Sequence, residues 1–254
     1  SDYLSLGAPD SAKRGLFFFK IEGWDPVLKR PREPSDSRYT DFAHFFFELR
    51  FGPYSPEVDE EFDGAATPYA DFFGTDPLFY FGMELDWLPV YLPYVVSLGP
   101  GFGWGVASTS AKTKLESDPS QEAESETGLT IFPMHLSAIA RFDGPLRELN
   151  VPLVPYLKAG FGFSTWSISG PDGTASANGK SGEGSSYGLH LAIGGSVALN
   201  AFDPSTAMAM REDVGIRYAY LWGEWMWANL DGIGSTPQLH VGTSTAVFGL
   251  ALDF

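Results

Sequence analysis

His135 and Ser137 stand two residues apart in an alternating stretch, with Glu148 downstream. On a strand, residues i and i+2 share a face. An imidazole base, an attacking hydroxyl and an orienting carboxylate are the parts of a serine-hydrolase triad. A second set is ionic: Glu48, Glu84, Asp86 and Glu224 alternate with small or apolar residues, as do Arg50, Arg141 and Lys158. If these point into one enclosed space they must pair, because a buried charge is costly alone. A third set is the acidic run Glu57, Asp59, Glu61 and Asp63, whose oxygens suit Ca2+ or Mg2+. Its spacing is not that of an EF-hand loop. His44, His135, His190 and His240 fall in different stretches and read as hydrogen-bonding residues rather than a ligand set.

Strands must position these groups. From residue 43 onward the chain divides into eight alternating segments. Their bulky phases run through Phe45, Phe47, Leu49 and Phe51; Phe79, Phe81, Met83, Leu85 and Trp87; Tyr94, Val96, Leu98, Phe102, Trp104 and Val106; and Phe132, Met134, Leu136, Ala138, Ala140 and Phe142. The later four are Leu153, Leu157, Ala159, Phe161 and Phe163; Tyr187, Leu189, Leu191, Ile193, Val197 and Leu199; Ala219, Leu221, Trp225 and Trp227; and Ala246, Phe248, Leu250, Leu252 and Phe254. The opposite phase holds the titratable groups above together with Ser97, Gly99, Gly101, Gly103, Gly105, Gly160, Gly162, Gly188, Gly194 and Ser196.

One face is therefore apolar and the other small, polar or charged of both signs. An enclosed, cross-linked lumen suits the second face, and lipid suits the first. Aromatics gather near segment ends at Trp87, Trp104, Phe142, Trp166, Trp225, Trp227 and Phe254, as interfacial girdles do. The segments also exceed the usual soluble strand length of about 5–6 residues. The pattern predicts an all-β chain: an eight-stranded antiparallel up-and-down transmembrane barrel over 43–254, with an N-terminal extension over 1–42. The run Phe248, Leu250, Leu252 and Phe254 is the expected closing strand.

The connections 88–93, 143–152 and 201–212 follow even segments, the last two with short helical turns at Pro145–Leu149 and Pro204–Arg211. Those after odd segments, 52–77, 108–127, 169–184 and 229–238, are mostly longer. Short turns face the periplasm in membrane barrels and long loops face out, so both termini are expected in the periplasm of a bacterial outer membrane.

The 254 residues carry a net charge of -16. Residues 1–42 hold seven basic and seven acidic groups, so the whole excess falls on 43–254. That excludes nucleic acid as an expected partner. There is no cysteine, hence no thiol catalysis, thiolate metal site or disulfide. Mean hydropathy is -0.07 and no apolar run is long enough for a membrane helix.

Phe51–Phe62 (FGPYSPEVDEEF), Pro68-Tyr69, Phe73-Gly74, Glu84–Trp87 (ELDW), Val154–Gly160 (VPYLKAG) and Glu224 occur in an order that resembles a poorly characterised family of small outer-membrane β-barrels from myxobacteria and related Gram-negative bacteria. The architecture is more loosely similar to OmpA-, OmpX- and OmpW-type barrels. The resemblance covers about residues 43–254, implies an outer-membrane location and implies no chemistry. His135-x-Ser137 is also similar to the motif of an outer-membrane lipid A deacylase. In that chemistry the pair faces lipid, whereas here its phase points to the lumen, and Glu148 falls in a turn.

The extension offers Phe17, Phe18, Phe19 and Trp24, followed by the Pro- and charge-rich stretch 29–34. Three successive phenylalanines are costly to leave in water, which makes them the candidate contact for a protein partner in the envelope. The expected role is non-enzymatic: an anchoring or scaffolding component that also meets membrane lipid and lipopolysaccharide, with no cofactor beyond Ca2+ or Mg2+ at the acidic loops. The alternatives are a narrow conduit or carrier for small hydrophobic solutes, of the OmpW type, and a lipid-modifying hydrolase.

Overall fold

In the computed structural model the described residues are 24–25, 30–31, 44–92, 95–115, 118–170, 173–177, 180–233 and 239–254. Eight strands form the barrel wall: β1 (His44–Tyr54), β2 (Leu78–Leu88), β3 (Val96–Leu115), β4 (Asp118–Arg141), β5 (Leu153–Gly170), β6 (Glu183–Ala198), β7 (Tyr218–Asn229) and β8 (Thr243–Asp253). Each pairs antiparallel with its sequence neighbours. The wall closes where Phe248 to Asp253 of β8 pair with Phe51 to Phe46 of β1. The amide of Phe254 adds a bond to the Phe45 carbonyl, 2.9 Å away. The closing strand thus runs to the last residue of the chain.

The alternation read from the sequence becomes two faces. Outward are Phe45, Phe79, Leu85, Phe102, Phe132, Leu136, Leu157, Phe161, Leu189, Leu191, Ile193, Leu221, Phe248 and Leu250, roughly half exposed. Such a continuous apolar belt is far larger than a water-facing surface tolerates, and it is what a bilayer covers. Inward are Glu48, Arg50, Tyr54, Tyr80, Glu84, Tyr156, Lys158, His190 and Trp222, all buried. The fold is a transmembrane eight-stranded barrel with a filled lumen. Among the described residues no helix is long and apolar enough to cross a membrane.

Three local features differ from the sequence reading. The expected loop 108–127 is mostly a hairpin, because β3 continues to Leu115 and β4 begins at Asp118. In the register of this hairpin Lys112 lies opposite Glu126 and Lys114 opposite Glu122. The loop 169–184 likewise holds a small antiparallel pair, Ser176–Ala177 with Lys180–Ser181. Trp166, expected in the girdle, lies on the inner phase and packs against the core.

The second and third even turns carry helices. α2 (Gly144–Leu149) and α3 (Pro204–Val214) each carry a proline in the first turn, Pro145 and Pro204, whose fixed φ and missing N–H suit that place. The Asp203 side chain accepts the Thr206 amide at the start of α3, and Gly215 ends it at φ 76. The loop after β1 holds a 3-10 turn, Val58–Phe62, and α1 (Pro68–Phe73). In the extension, Trp24–Asp25 pairs with Arg30–Pro31. Phe17, Phe18 and Phe19 lie outside the described residues.

Candidate functional site

The lumen is the most densely functionalised part of the molecule. Glu48 of β1 and Glu84 of β2 sit side by side in register. Arg50, one inward step along β1, pairs with Glu84 and Glu224 through separate guanidinium nitrogens and lies 3.4 Å from Glu48. Lys158 enters from β5, the strand opposite β1 in an eight-strand ring. Its Nζ is 2.9 Å from Glu48, 2.9 Å from Glu84 and 3.6 Å from Glu224. Tyr156 donates to the second oxygen of Glu224 at 3.1 Å. Trp222 lies beside both cations, 5.1 Å from the Arg50 guanidinium and 5.8 Å from Nζ. Ion pairs thus span the lumen from wall to wall.

Glycines on β3 make this layer fit. A Cβ at Gly101 would run into the carboxylates of Asp86 and Glu84, and one at Gly103 into the His135 ring. Gly82 and Gly105 leave the same room for Tyr80. The glycine run therefore provides space for large residues opposite.

Two predicted members stand differently from the rest. Arg141 donates to Ser196 at 2.8 Å and lies against Phe46, Tyr220 and Tyr156, with its guanidinium 4.5, 4.6 and 5.8 Å from the rings. Its company is aromatic, because it sits one inward step nearer the chain-terminal end than Lys158. Asp86 is buried beside Glu84 and Glu48. One oxygen from each of these three carboxylates falls within 4.8 Å of the others. The Lys158 ammonium already stands between two of them as counter-charge.

The hydrolase parts are not assembled as a triad. Ser137 Oγ meets Nδ1 of His190 at 3.0 Å, not His135. The two imidazoles stack with centroids 3.9 Å apart and planes within 3°. His135 Nε2 lies 3.2 Å from Glu84. Glu148 sits in α2, beyond the end of β4. Ser137, His135 and His190 are all buried in the lumen, away from the lipid where an acyl substrate would lie.

The acidic loop residues also have structural duties. Both oxygens of Asp59 accept backbone amides at the start of α1, from Tyr69 at 2.7 Å and Ala70 at 2.9 Å. Burial together with Asp59 pushes the Tyr69 phenol up to about 12. Glu57 is half-buried; burial and then Glu60 raise its pKa, while His240 opposes the rise. Its amide bonds Gly242 at 3.0 Å. Glu61 lies within the 3-10 turn, and Asp63 closes it in the left-handed region at φ 49. Glu57, Asp59, Glu61 and Asp63 do not converge as a ligand cluster among the described residues.

A second site lies at the end where the termini emerge, and the sequence reading missed it. His44 Nδ1 is 2.8 Å from Asp253, and its Nε2 is 3.2 Å from Arg147 of α2. Arg147 also meets Asp143 at 3.0 and 2.7 Å, and Asp143 accepts from Ser97 at 2.7 Å. Burial opposes the Arg147 charge, yet Asp143 holds its pKa above the ordinary value. Next to this network is a pocket of about 180 Å³ lined also by Arg211, Arg217, Asn150, Tyr218 and Tyr220. The distribution of basic residues among the even turns was the available sequence signal.

No family model and no curated protein matches the chain. Among solved structures it is similar to Ail, the attachment invasion locus protein of Yersinia pestis, at 10% identity and a TM-score of 0.40, covering 84% of this chain and 97% of that one. It is also similar to the N-terminal β-barrel domain of Pseudomonas aeruginosa OprF, at 13% identity and a TM-score of 0.39, covering 84% and 98%.

Proposed function

We propose that this chain is an integral bacterial outer-membrane barrel that acts as an anchor or scaffold, not as a pore or an enzyme. The observation that carries the reading is the Lys158 contact with Glu48 across the full width of the lumen, both residues fully buried. An eight-stranded wall leaves room only for side chains, and here those side chains meet. The Ser137–His190 pair supports the non-enzymatic part, since both side chains are buried on the inner face of the wall.

What the barrel holds in place are the hairpin at the β3–β4 end and the extension 1–42, with Phe17, Phe18, Phe19 and Trp24 as the partner contact. Loop lengths support placing both termini in the periplasm. The residues resembling the myxobacterial barrel family support the same location. The acidic outer loops would share Ca2+ or Mg2+ with lipopolysaccharide.

Two measurements on the full chain test this. Crosslinking and purification from native membranes should return a defined partner that is lost on deletion of residues 1–42 or 110–126. Planar-bilayer recording should show no conductance above leak. A steady conductance would replace the scaffold with the conduit reading.

A further inference from the structure

Carboxylates outnumber cations inside the barrel. The charged layer sets Glu48, Glu84, Asp86 and Glu224 against Arg50 and Lys158, a deficit of two positive charges with His135 and His190 neutral. Arg141 does not close it. Its guanidinium lies among the rings of Phe46 and Tyr220, toward the end where Asp143 and Asp253 add two carboxylates and Arg147 one further cation. The deficit of two therefore survives a count that takes in that end as well. Uncompensated charge in a closed space of low dielectric is costly, so the folded barrel must take up positive charge with these groups.

Geometry shows where. Glu48, Glu84 and Asp86 each place one oxygen within 4.8 Å of the other two, and oxygens that share one metal ion stand about 3–5 Å apart. Lys158 reaches Glu48 and Glu84 through their Oε2 atoms, at 2.9 Å each, and Arg50 meets Glu84 at the same Oε2. Glu84 Oε1 and Asp86 Oδ1 are left over. Both are buried, and no hydrogen-bond donor reaches either among the described residues. A Cβ on Gly101 would run into both atoms, so they face the same side-chain-free strip of β3. Beside them the buried His135 of β4 holds Nε2 3.2 Å from Glu84, with no hydrogen-bond partner.

We propose that Glu48, Glu84 and Asp86 hold one hard divalent cation, of the Mg2+ or Mn2+ kind, against the glycine strip of β3. Carboxylate oxygens suit such ions. A double charge makes up the deficit of two, where a single proton shared between Glu84 and Asp86 would leave one. The ion ties β1 to β2, and Lys158 ties both to β5. The site is distinct from the acidic outer loop. It rests on the closed lumen and not on the anchoring role.

The lumen is filled, so the test supplies metal during folding. The full chain, stripped with a chelator, is refolded in non-ionic detergent with or without Mn2+ and freed of loose metal by gel filtration. Bound manganese is then measured by elemental mass spectrometry and by its paramagnetic resonance spectrum. About one Mn2+ per chain is expected. Asp86→Asn should lower the affinity by at least the roughly tenfold that loss of even an outer-shell partner costs. The loop variant Glu60→Gln with Glu61→Gln should leave it unchanged. A second readout needs no variant: the wild-type barrel refolded with Mn2+ should unfold at a higher temperature than the metal-free one. A folded wild-type barrel without stoichiometric Mn2+, its charge made up by protonated carboxyls seen in the infrared, overturns the site. So does manganese lost equally from the loop variant. Failure of the membrane reading is seen independently, as a monodisperse chain without detergent.

Discussion

Replacing Lys158 by Met tests whether the lumen is held by its ion pairs. Methionine keeps an unbranched chain of similar reach and removes only the charge and its donors. In the wild type Nζ is 2.9 Å from both Glu48 and Glu84 and 3.6 Å from Glu224. At an effective dielectric of about 20, each close contact is about 5–6 kcal/mol of gross attraction. Most of that offsets the desolvation of a fully buried ammonium. The loss is nevertheless asymmetric, because three buried carboxylates stay behind with Arg50 as their main counter-charge. Breaking a buried pair from one side typically costs about 3–5 kcal/mol, and that is the expected destabilisation.

The assay is urea unfolding of the barrel in lipid vesicles, followed by tryptophan fluorescence and by the folded band on a non-boiled gel. The informative comparison is the double variant Lys158→Met with Glu48→Gln. Removing one stranded carboxylate should recover about 1–3 kcal/mol of the loss, whereas two independent defects would add. A cost below about 1 kcal/mol for Lys158→Met, or simple additivity in the double variant, would refute a charge-coupled layer. The lumen would then be held by Trp222, Tyr80 and Tyr156 packing alone.

Three further outcomes follow from particular contacts. A Cβ at Gly249 would collide with the Leu49 carbonyl across the β8–β1 closure, so Gly249→Ala should cost about 1–3 kcal/mol and lower the closed fraction on the same gel. Asp59→Ala should remove the two amide bonds that start α1, costing about 1 kcal/mol locally and exposing the Tyr69 and Ala70 amides to faster hydrogen exchange. Hydrogen bonds from the Thr206 side chain and amide and from Ser205 lower the Asp203 pKa to about 2. A depressed folded value stabilises α3 above the unfolded carboxylate range and stops doing so as pH falls from about 4 through 2; a carboxyl titration midpoint near 3.8 by NMR would contradict the cap.

The architecture was legible because a barrel strand needs only a period of two, and Phe248 to Phe254 or Phe79 to Trp87 show it without reference to any other part of the chain. Inward and outward assignment followed from the same alternation. It failed at Trp166, where an inner position is wide enough for an aromatic. Bulk alone cannot separate a lipid-facing ring from one filling a lumen whose opposite wall is glycine. The hairpin at 108–127 was hidden because Ser, Thr, Lys and Glu in alternation are as compatible with a solvated loop as with a ribbon wet on both faces. Only the Lys112–Glu126 and Lys114–Glu122 registers distinguish the two.

Contacts across the lumen belong to a different level of information. Arg50, Arg141 and Lys158 look alike in the sequence: each is a cation on the polar phase of a strand. Register separates them. Lys158 lies opposite Ile139, and Arg141 lies opposite Tyr156, so two residues of strand, about 7 Å, set them apart along the wall. That step puts Lys158 level with Glu48 and Glu84 and leaves Arg141 among Phe46, Tyr156 and Tyr220. Height within a closed barrel depends on how far each strand is staggered against the next, summed around the ring, and no local pattern contains that sum. The same holds for Arg147, Arg211 and Arg217, which no pairwise motif connects. Closure of the wall brings the turns that carry them to one rim.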